Sequence, residues 1–226
     1  MNQILAFFNV NIKLLLKDKI SFVWSVLLPT VMLLLNKDNV DLSSNYLVFW
    51  WVYIVFTSFI FGVGIEALQL RESGSLRIVF SVNCKPMNFF LGNLLTQIAY
   101  SVLCITIFNI IAMILLQQLD IVLIFRGLIT ILYGIPVAFL GYNVTLLKNV
   151  HVKSITAIVN IAVFFLFIIT GMSTSLNQYN PINLISMVII KNTWNYNLYY
   201  LIGSFFIILI SMPSILTYSC ISNERR

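Results

Sequence analysis

The sequence predicts an all-α integral membrane protein with six transmembrane helices, an N-terminal interfacial amphipathic helix and a short re-entrant segment between helices five and six. Of its 226 residues, 60% are hydrophobic and only 9% are charged, whereas a soluble domain carries about 25% charged residues. Apolar runs recur at about the 20-residue length that a helix needs to cross a membrane. Lys and Arg are distributed unevenly among the segments between these runs, as the positive-inside rule expects.

Residues 1–19 are predicted to form the interfacial helix. Polar side chains recur every four residues at Asn9, Lys13 and Lys17. The opposite arc of the helix is apolar and holds Leu5, Phe8, Ile12, Leu15 and Leu16. This pattern is typical of a helix that lies on a membrane surface. The alternative is that the segment simply begins a long first span.

The six predicted spans follow from the apolar runs. They are Ile20–Leu35, Tyr46–Ile65, Met87–Leu119, a run that follows Asp120 and ends at Leu147, Ser154–Thr170 and Leu198–Thr217. Spans three and four are separated only by "LLQQLD" and are predicted to form a tight hairpin. Residues 171–197 are predicted to be a partly re-entrant outer loop, because its apolar stretch Pro181–Ile190 is too short to cross.

The positive charges predict the orientation of the chain. Ten of the 13 Lys and Arg residues fall on the side that holds both termini and three on the other. The positive-inside rule therefore places both termini in the cytoplasm, with the segment 69–86 as a cytoplasmic loop. Aromatic residues agree, because Trp50, Trp51 and Trp194 are predicted to mark the outer ends of the second and sixth spans.

The fourth span is rich in residues that either loosen a helix or allow close contact. Gly127, Gly134, Pro136 and Gly141 all lie within it. Small residues permit neighbouring helices to approach closely in a membrane. Packing within the subunit is our expectation, and a flexible wall of a pathway is the alternative.

Motifs for enzymatic and nucleotide chemistry are absent from the sequence. There is no G-x-x-x-x-G-K-[ST] loop, no H-E-x-x-H helix and no G-x-S-x-G elbow. The single histidine, His151, has no Cys, Asp or Glu nearby in sequence, and the three cysteines lack metal-ligand spacing. The basic residues do not form a nucleic-acid-binding patch. We expect a protein that is not an enzyme and binds no nucleic acid, metal or cofactor itself.

Two charges inside or beside the spans are candidate pathway or interface residues. Glu66 follows twenty uncharged residues, and it can pair at the inner interface with Arg71 or Lys85 or face a transport path. Arg126 lies six residues after Asp120 near the outer face. Its long side chain can extend to water or face a substrate path.

With these features the chain resembles the membrane (permease) subunits of ABC-2 type exporters over nearly its whole length. The most specific local match is "RESGSLRIVFSVNCKPMNFFLGNLL", a charged pair, a glycine with a small hydroxyl residue, an apolar stretch, a proline and Gly-x-x-Leu. The matching positions are Arg71, Glu72, Gly74, Ser75, Leu76, Gly92 and Leu95. Asn83 stands where the family often has proline, and Pro86 comes three residues later. "NQYNPINLI" is similar to the Asn-Pro turn of the family's outer segment.

The resemblance implies that the loop after the second span is a coupling helix that docks on a separate ATPase subunit. The implied coupling residues are Arg71, Glu72, Ser73, Gly74, Ser75, Leu76 and Arg77. Ser73 or Ser75 can cap a helix start, while the charged residues and Leu76 suit a docking surface. The alternative is an ordinary solvated loop. ATP and Mg²⁺ would be bound by that partner, and a second permease, identical or related, would complete the membrane part.

The sequence thus predicts a subunit of an ATP-driven exporter in a bacterial cytoplasmic membrane. Its few charges favour a hydrophobic or amphipathic substrate such as a peptide toxin, a bacteriocin or a drug. Two alternatives remain at this point: a membrane-embedded immunity or binding protein without transport, and a secondary carrier driven by an ion gradient.

Overall fold

The computed structural model describes residues 3–17, 19–39, 45–76, 85–147, 151–172 and 174–219, and these residues are almost entirely helical. The α-helices are α1 (Gln3–Lys17), α2 (Lys19–Asn36), α3 (Tyr46–Phe59), α4 (Glu66–Glu72), α5 (Pro86–Leu115), α6 (Ile121–Tyr142), α7 (Val152–Thr170), α8 (Pro181–Lys191) and α9 (Trp194–Leu216). A π-helical segment, Ile60–Ile65, joins α3 to α4 in one continuous rod. Short 3₁₀ turns span Lys37–Asn39, Asn143–Leu146 and Ser175–Gln178.

The protein is an all-helical membrane protein, as the composition predicts. Within the described residues, five helical stretches are long and apolar enough to cross a membrane: Tyr46–Glu72, Pro86–Leu115, Ile121–Leu146, Val152–Thr170 and Trp194–Leu216. The apolar part of α2, Phe22–Asn36, is shorter than these. A sixth crossing and the re-entrant nature of the outer segment therefore stay predictions.

The core of the bundle is the contact between the α3–α4 rod and α6. A Cβ atom added at Gly64 would lie 2.3 Å from the backbone oxygen of Gly141, and one at Gly134 would lie 2.2 Å from Val55. Gly127 is similarly close to Ile105. Glycine is required at these points because a larger side chain would separate the helices. The expectation that these fourth-span glycines serve packing is confirmed.

Helices α5 and α6 form the tight hairpin that the sequence predicts. Helix α5 ends at Leu115 and α6 begins at Ile121. Gln117 adopts a left-handed conformation with φ 54° in the turn. The Asp120 side chain accepts a hydrogen bond from the Val122 backbone N–H at 2.8 Å, which caps the start of α6.

The two tryptophans at the start of α3 lie inside the bundle. Trp50 is 4% exposed and Trp51 is 1% exposed. The indole N–H of Trp51 donates to Asn109 Oδ1 at 2.7 Å, a bond that satisfies two polar groups away from water. Trp50 and Trp51 are thus part of the bundle interior, and their predicted place at the outer end of the second span stays a prediction. Trp194, by contrast, is 80% exposed at the start of α9.

Helices α1 and α2 follow α5 on one side of the bundle. Phe7 of α1 lies against Gly92, where an added Cβ would be 2.5 Å from Phe7 Cβ. Asn11 Nδ2 donates to Asn93 Oδ1 at 2.5 Å, and the hydroxyls of Ser25 and Tyr100 share a hydrogen bond of 2.8 Å. Helix α1 thus packs on α5, and its predicted place at a membrane surface stays a prediction.

Helix α8 occupies the apolar stretch of the outer loop. Its N-cap Asn180 accepts from the Ile182 backbone N–H at 3.1 Å. The same side chain donates to the Leu166 carbonyl at 2.7 Å and to the Thr170 hydroxyl at 2.8 Å. Asn180 therefore joins the start of α8 to the end of α7, with Pro181 in the first helical position, where proline is favoured.

Candidate functional site

The predicted coupling loop 69–86 begins with a sharp turn at residues 73–75. Helix α4 ends at Glu72, Gly74 has φ +74°, and the chain is helical again at Ser75 and Leu76. Arg77 and the residues up to 84 lie outside the described part of the chain. The left-handed conformation explains Gly74, because other residues adopt it at a cost.

Ser73 organises this 73–75 turn through its hydroxyl group. The hydroxyl donates to the Leu70 carbonyl at 3.1 Å and shares a 2.8 Å hydrogen bond with the Ser75 hydroxyl. It also accepts from the Ser75 backbone N–H at 3.4 Å. Ser73 therefore closes α4 and also contacts the next helical turn. Its predicted role as the cap of a coupling helix stays a prediction.

Arg71 connects the 73–75 turn to the end of α6. Its guanidinium donates through Nη1 to the Thr145 carbonyl at 2.5 Å and through Nη2 to the Leu147 carbonyl at 3.0 Å. Its Nε donates to Glu72 Oε1 at 2.6 Å. The last carbonyls of a helical segment lack partners within it, so a buried cation satisfies them well. Arg71 is only 3% exposed, and we call this set of bonds the Arg71 anchor.

The structure corrects the expectation that three coupling residues are exposed to a partner. Arg71, Glu72 and Leu76 were expected to offer charge and apolar surface to a partner. The Arg71 and Glu72 side chains pair with each other and are 4% and 5% exposed. Leu76 is 2% exposed and packs in the core. Of this segment, Ser73 and Ser75 are exposed in the described chain.

A half-open groove of about 640 Å³ lies on the side of the α3–α4 rod away from α6. Its walls come from α1, α2, the rod, α5 and α7. Helix α7 contributes Thr156 and Asn160 to the lining, and α2 contributes Trp24 and Ser25. The groove is therefore lined by polar as well as apolar side chains. We call this cavity the membrane groove.

The back wall of the membrane groove is the π-helical segment and a chain of buried amide and hydroxyl groups. Gln97 Nε2 donates to the Gly62 carbonyl at 3.4 Å. Ser58 donates to Gln97 Oε1 at 2.9 Å, and Ser101 donates to Ser58 at 3.1 Å. A π segment disturbs the regular hydrogen bonds of a helix and is frequent at functional sites. Gln97 supplies a partner where the regular ladder is interrupted.

Glu66 follows the π segment and lines the membrane groove. Its carboxylate makes no hydrogen bond and no ion pair within the described residues. The pairing with Arg71 that the sequence allowed does not form, because the Arg71 guanidinium is held by Thr145, Leu147 and Glu72. Glu66 thus lines a cavity instead of pairing with Arg71, and its candidate role in a transport path stays a prediction.

Arg126 lies apart from both the groove and the Arg71 anchor. It is exposed on α6 between Phe125, which is 62% exposed, and Ile129, which is 47% exposed. This outward stripe faces lipid or another subunit. The structure therefore does not bring Arg126 and Glu66 together.

The buried groups behind the groove were missed in the sequence analysis, although the sequence carries a signal for them. Asn93, Gln97 and Ser101 recur every four residues in an apolar run, which places them on one face of α5. Polar residues inside a membrane helix face the bundle interior or a polar cavity. The stripe therefore indicates the buried side of α5, where Asn93 bonds α1 while Gln97 and Ser101 bond the rod.

Comparison with known proteins does not extend these observations. No family model, no curated protein and no solved structure matches the chain. Fold and site together define a helical membrane protein with a polar groove and an anchored turn.

Proposed function

We propose that the chain is the membrane subunit of an ATP-driven exporter of the ABC-2 type in a bacterial cytoplasmic membrane, with ATP hydrolysis supplied by separate ATPase subunits. The predicted orientation places the 73–75 turn and both termini in the cytoplasm. The sequence holds no P-loop of its own, so the proposal requires a partner that binds ATP and Mg²⁺. Hydrophobic or amphipathic compounds, including toxins, bacteriocins and drugs, are the proposed cargo.

The Arg71 anchor is the observation that carries the proposal. A partner that moves the 73–75 turn also moves the end of α6, because Arg71 bonds the Thr145 and Leu147 carbonyls. The same movement passes along α4 into the π segment, whose residues line the membrane groove. Force applied at one small turn would thus act on two spans and on the groove. A solvated loop with no coupling role has no need of such a bond between helices.

Helix α7 supports the expectation of a second permease copy or a related permease. Of its residues only Val163 is buried, and its exposed surface includes Phe164 and Phe165. A second subunit would cover part of this surface and would close the open side of the groove. The exporter would then contain two permeases and two ATPase domains.

Purification of the full-length chain from membranes of its own host tests this proposal. A P-loop ATPase should co-purify and hydrolyse Mg·ATP, and a photo-crosslinking residue at Ser75 should attach to it. Ser75→Arg should reduce the retained ATPase activity at least about tenfold, because the exposed turn is the docking point. Asp38→Asn, which changes an exposed residue of the Lys37–Asn39 turn, is the control and should retain it. Absence of any crosslinked ATPase refutes the proposal.

A secondary carrier is the second candidate, and the position of Glu66 favours it. An acidic group that lines a cavity among membrane helices is a common device for coupling to a proton gradient. Inverted membrane vesicles separate the two candidates. If uptake of an amphipathic compound continues without ATP, stops with a protonophore and is lost in Glu66→Gln, the result supports the carrier. If its uptake needs ATP and continues with the protonophore, the result supports the exporter.

A further inference from the structure

The membrane groove is long enough to reach through most of a bilayer. Its lining follows one face of the rod from Tyr53 to Gln69. At 1.5 Å per residue this face is about 24 Å long, compared with about 30 Å for the hydrocarbon core. The volume of about 640 Å³ falls within the range of drug-sized binding sites, about 300 to 1,000 Å³.

Among the described residues that line the groove, the charge is of one sign. Glu66 is the single ionisable acid among the described lining residues, and none of those residues is Lys, Arg or His. A carboxylate at membrane depth is costly unless a partner compensates it. Because Glu66 has no ion pair within the described chain, a positively charged group that enters the groove gains a partner there.

The rest of the groove is suited to an apolar body. Phe61 lies one helical turn before Glu66, and Trp24 and Tyr100 face it from α2 and α5. Trp24 is 64% exposed, so its ring is open to a ligand. Aromatic faces attract organic cations as well as apolar groups. A bare divalent ion fits poorly by comparison, since Ca²⁺ needs six to eight oxygen ligands and Mg²⁺ an octahedral set.

We propose that the membrane groove is a binding site for an amphipathic organic cation, whose positive centre pairs with Glu66 and whose apolar part lies against Trp24, Phe61 and Tyr100. All the lining residues named here belong to one chain. Binding here requires no ATPase, so this inference does not depend on the proposed exporter function.

Two probes of nearly equal shape and opposite charge test the proposal. Tetraphenylphosphonium and tetraphenylborate are measured by equilibrium binding to the full-length protein in phosphatidylcholine nanodiscs, with empty nanodiscs subtracted. The wild type should bind the cation saturably with one site per chain, and it should not bind the anion saturably. Glu66→Gln preserves the shape of the side chain and should weaken cation binding at least about tenfold, which corresponds to 1.4 kcal/mol.

Control variants separate the site from general charge effects. Asp38→Asn removes one negative charge from an exposed position outside the groove and should leave the Kd unchanged within about twofold. Trp24→Ala should weaken the cation through loss of its apolar contact, and Glu66→Asp should restore part of the affinity lost in Glu66→Gln. The proposal fails if the wild type does not bind the cation, if the anion binds equally well, or if Glu66→Gln binds like the wild type.

Discussion

The α3–α4 rod and helix α7 are both apolar enough to cross a membrane, yet their surroundings differ. In the most apolar 18-residue stretch of each, 72% of the residues are buried within the protein for Tyr46–Glu72 and 6% for Val152–Thr170. The rod is surrounded by α5, α6 and α8, whereas α7 touches the bundle along one edge. In a bilayer, lipid covers apolar surface as well as protein does, so hydropathy does not separate a central helix from a peripheral one.

Small and polar residues account for the difference. The rod has Gly64 against Gly141 and Trp51 against Asn109, contacts in which backbones approach and polar groups pair. Helix α7 has an apolar surface with Thr156 and Asn160 turned to the groove. Association in membranes depends on close packing and hydrogen bonds rather than on the hydrophobic effect. The comparison therefore predicts that stability is concentrated in the rod.

The largest effect is expected at the Arg71 anchor. Arg71→Met leaves the Thr145 and Leu147 carbonyls without their donor, and should lower the free energy of unfolding by about 3 to 5 kcal/mol. Arg71→Lys should recover only part of this stability, because an ammonium group cannot reproduce the fork of the guanidinium. Thermal unfolding in nanodiscs measures both. Arg126→Gln, an exposed arginine, is the control, and an equal loss there would contradict the assignment.

A smaller loss is expected at the closest helix contact. Gly64→Ala places a methyl group 2.3 Å from the Gly141 backbone oxygen, and the two helices must separate. We expect about 3 kcal/mol of destabilisation. Gly203→Ala is the matched control, because nothing lies within 4 Å of its Cβ position, and it should not destabilise. If both variants melt alike, the rod is not the tightly packed element that the comparison requires.

The buried hydrogen bond at the start of α3 should contribute less. Trp51→Phe removes the indole donor and leaves Asn109 Oδ1 unpaired at a cost of about 1 to 3 kcal/mol. Trp24→Phe is the control, since that ring is largely exposed and should change stability by less than about 0.5 kcal/mol. Chemical denaturation in mixed micelles compares the two. Asn109→Leu combined with Trp51→Phe should recover stability if the unpaired acceptor is the cause.

The smallest effect is expected on α7. Phe164 is 61% exposed, and Phe164→Ala should change the stability of a single chain by less than about 0.5 kcal/mol. Phe59→Ala in the rod, where the ring is fully buried, should cost at least about 2 kcal/mol through the cavity it creates. The same Phe164 variant, assayed for dimers by crosslinking in membranes, should weaken association if a second copy covers α7. A large loss of stability in the isolated Phe164→Ala chain would contradict the difference between α7 and the rod.

The positions of the helices follow from the sequence because each apolar run of sufficient length must be helical in lipid. The bounds of α7 and the hairpin at Asp120 were predicted closely. The directions in which the side chains point were not predicted. Trp51 lies beside Gly127 of α6 and Trp50 packs against Phe167 of α7. Arg71 turns inward because the carbonyls of Thr145 and Leu147 lie beside it.

The sequence patterns did not predict the membrane groove, although they identified its charged residue. Glu66 was identified as a candidate, but its neighbours depend on how α1, α2 and α7 pack around the rod. A single run of hydropathy contains no information about such distant contacts. The stripe of Asn93, Gln97 and Ser101 indicates a buried face of α5, and only the fold shows that this face backs a cavity.

The π segment Ile60–Ile65 also sets the direction, around the helix axis, in which the side chains of α4 point. Each residue of an α-helix turns the chain by about 100°, and a π turn holds one residue more than the α-helix needs. If the same residues formed a regular α-helix without a deletion, the extra residue would rotate Glu66 and Arg71 by about that angle around the helix axis. Glu66 would leave the groove and Arg71 would leave the end of α6. The π turn absorbs the additional residue and thus keeps both groups aligned with their separate surroundings.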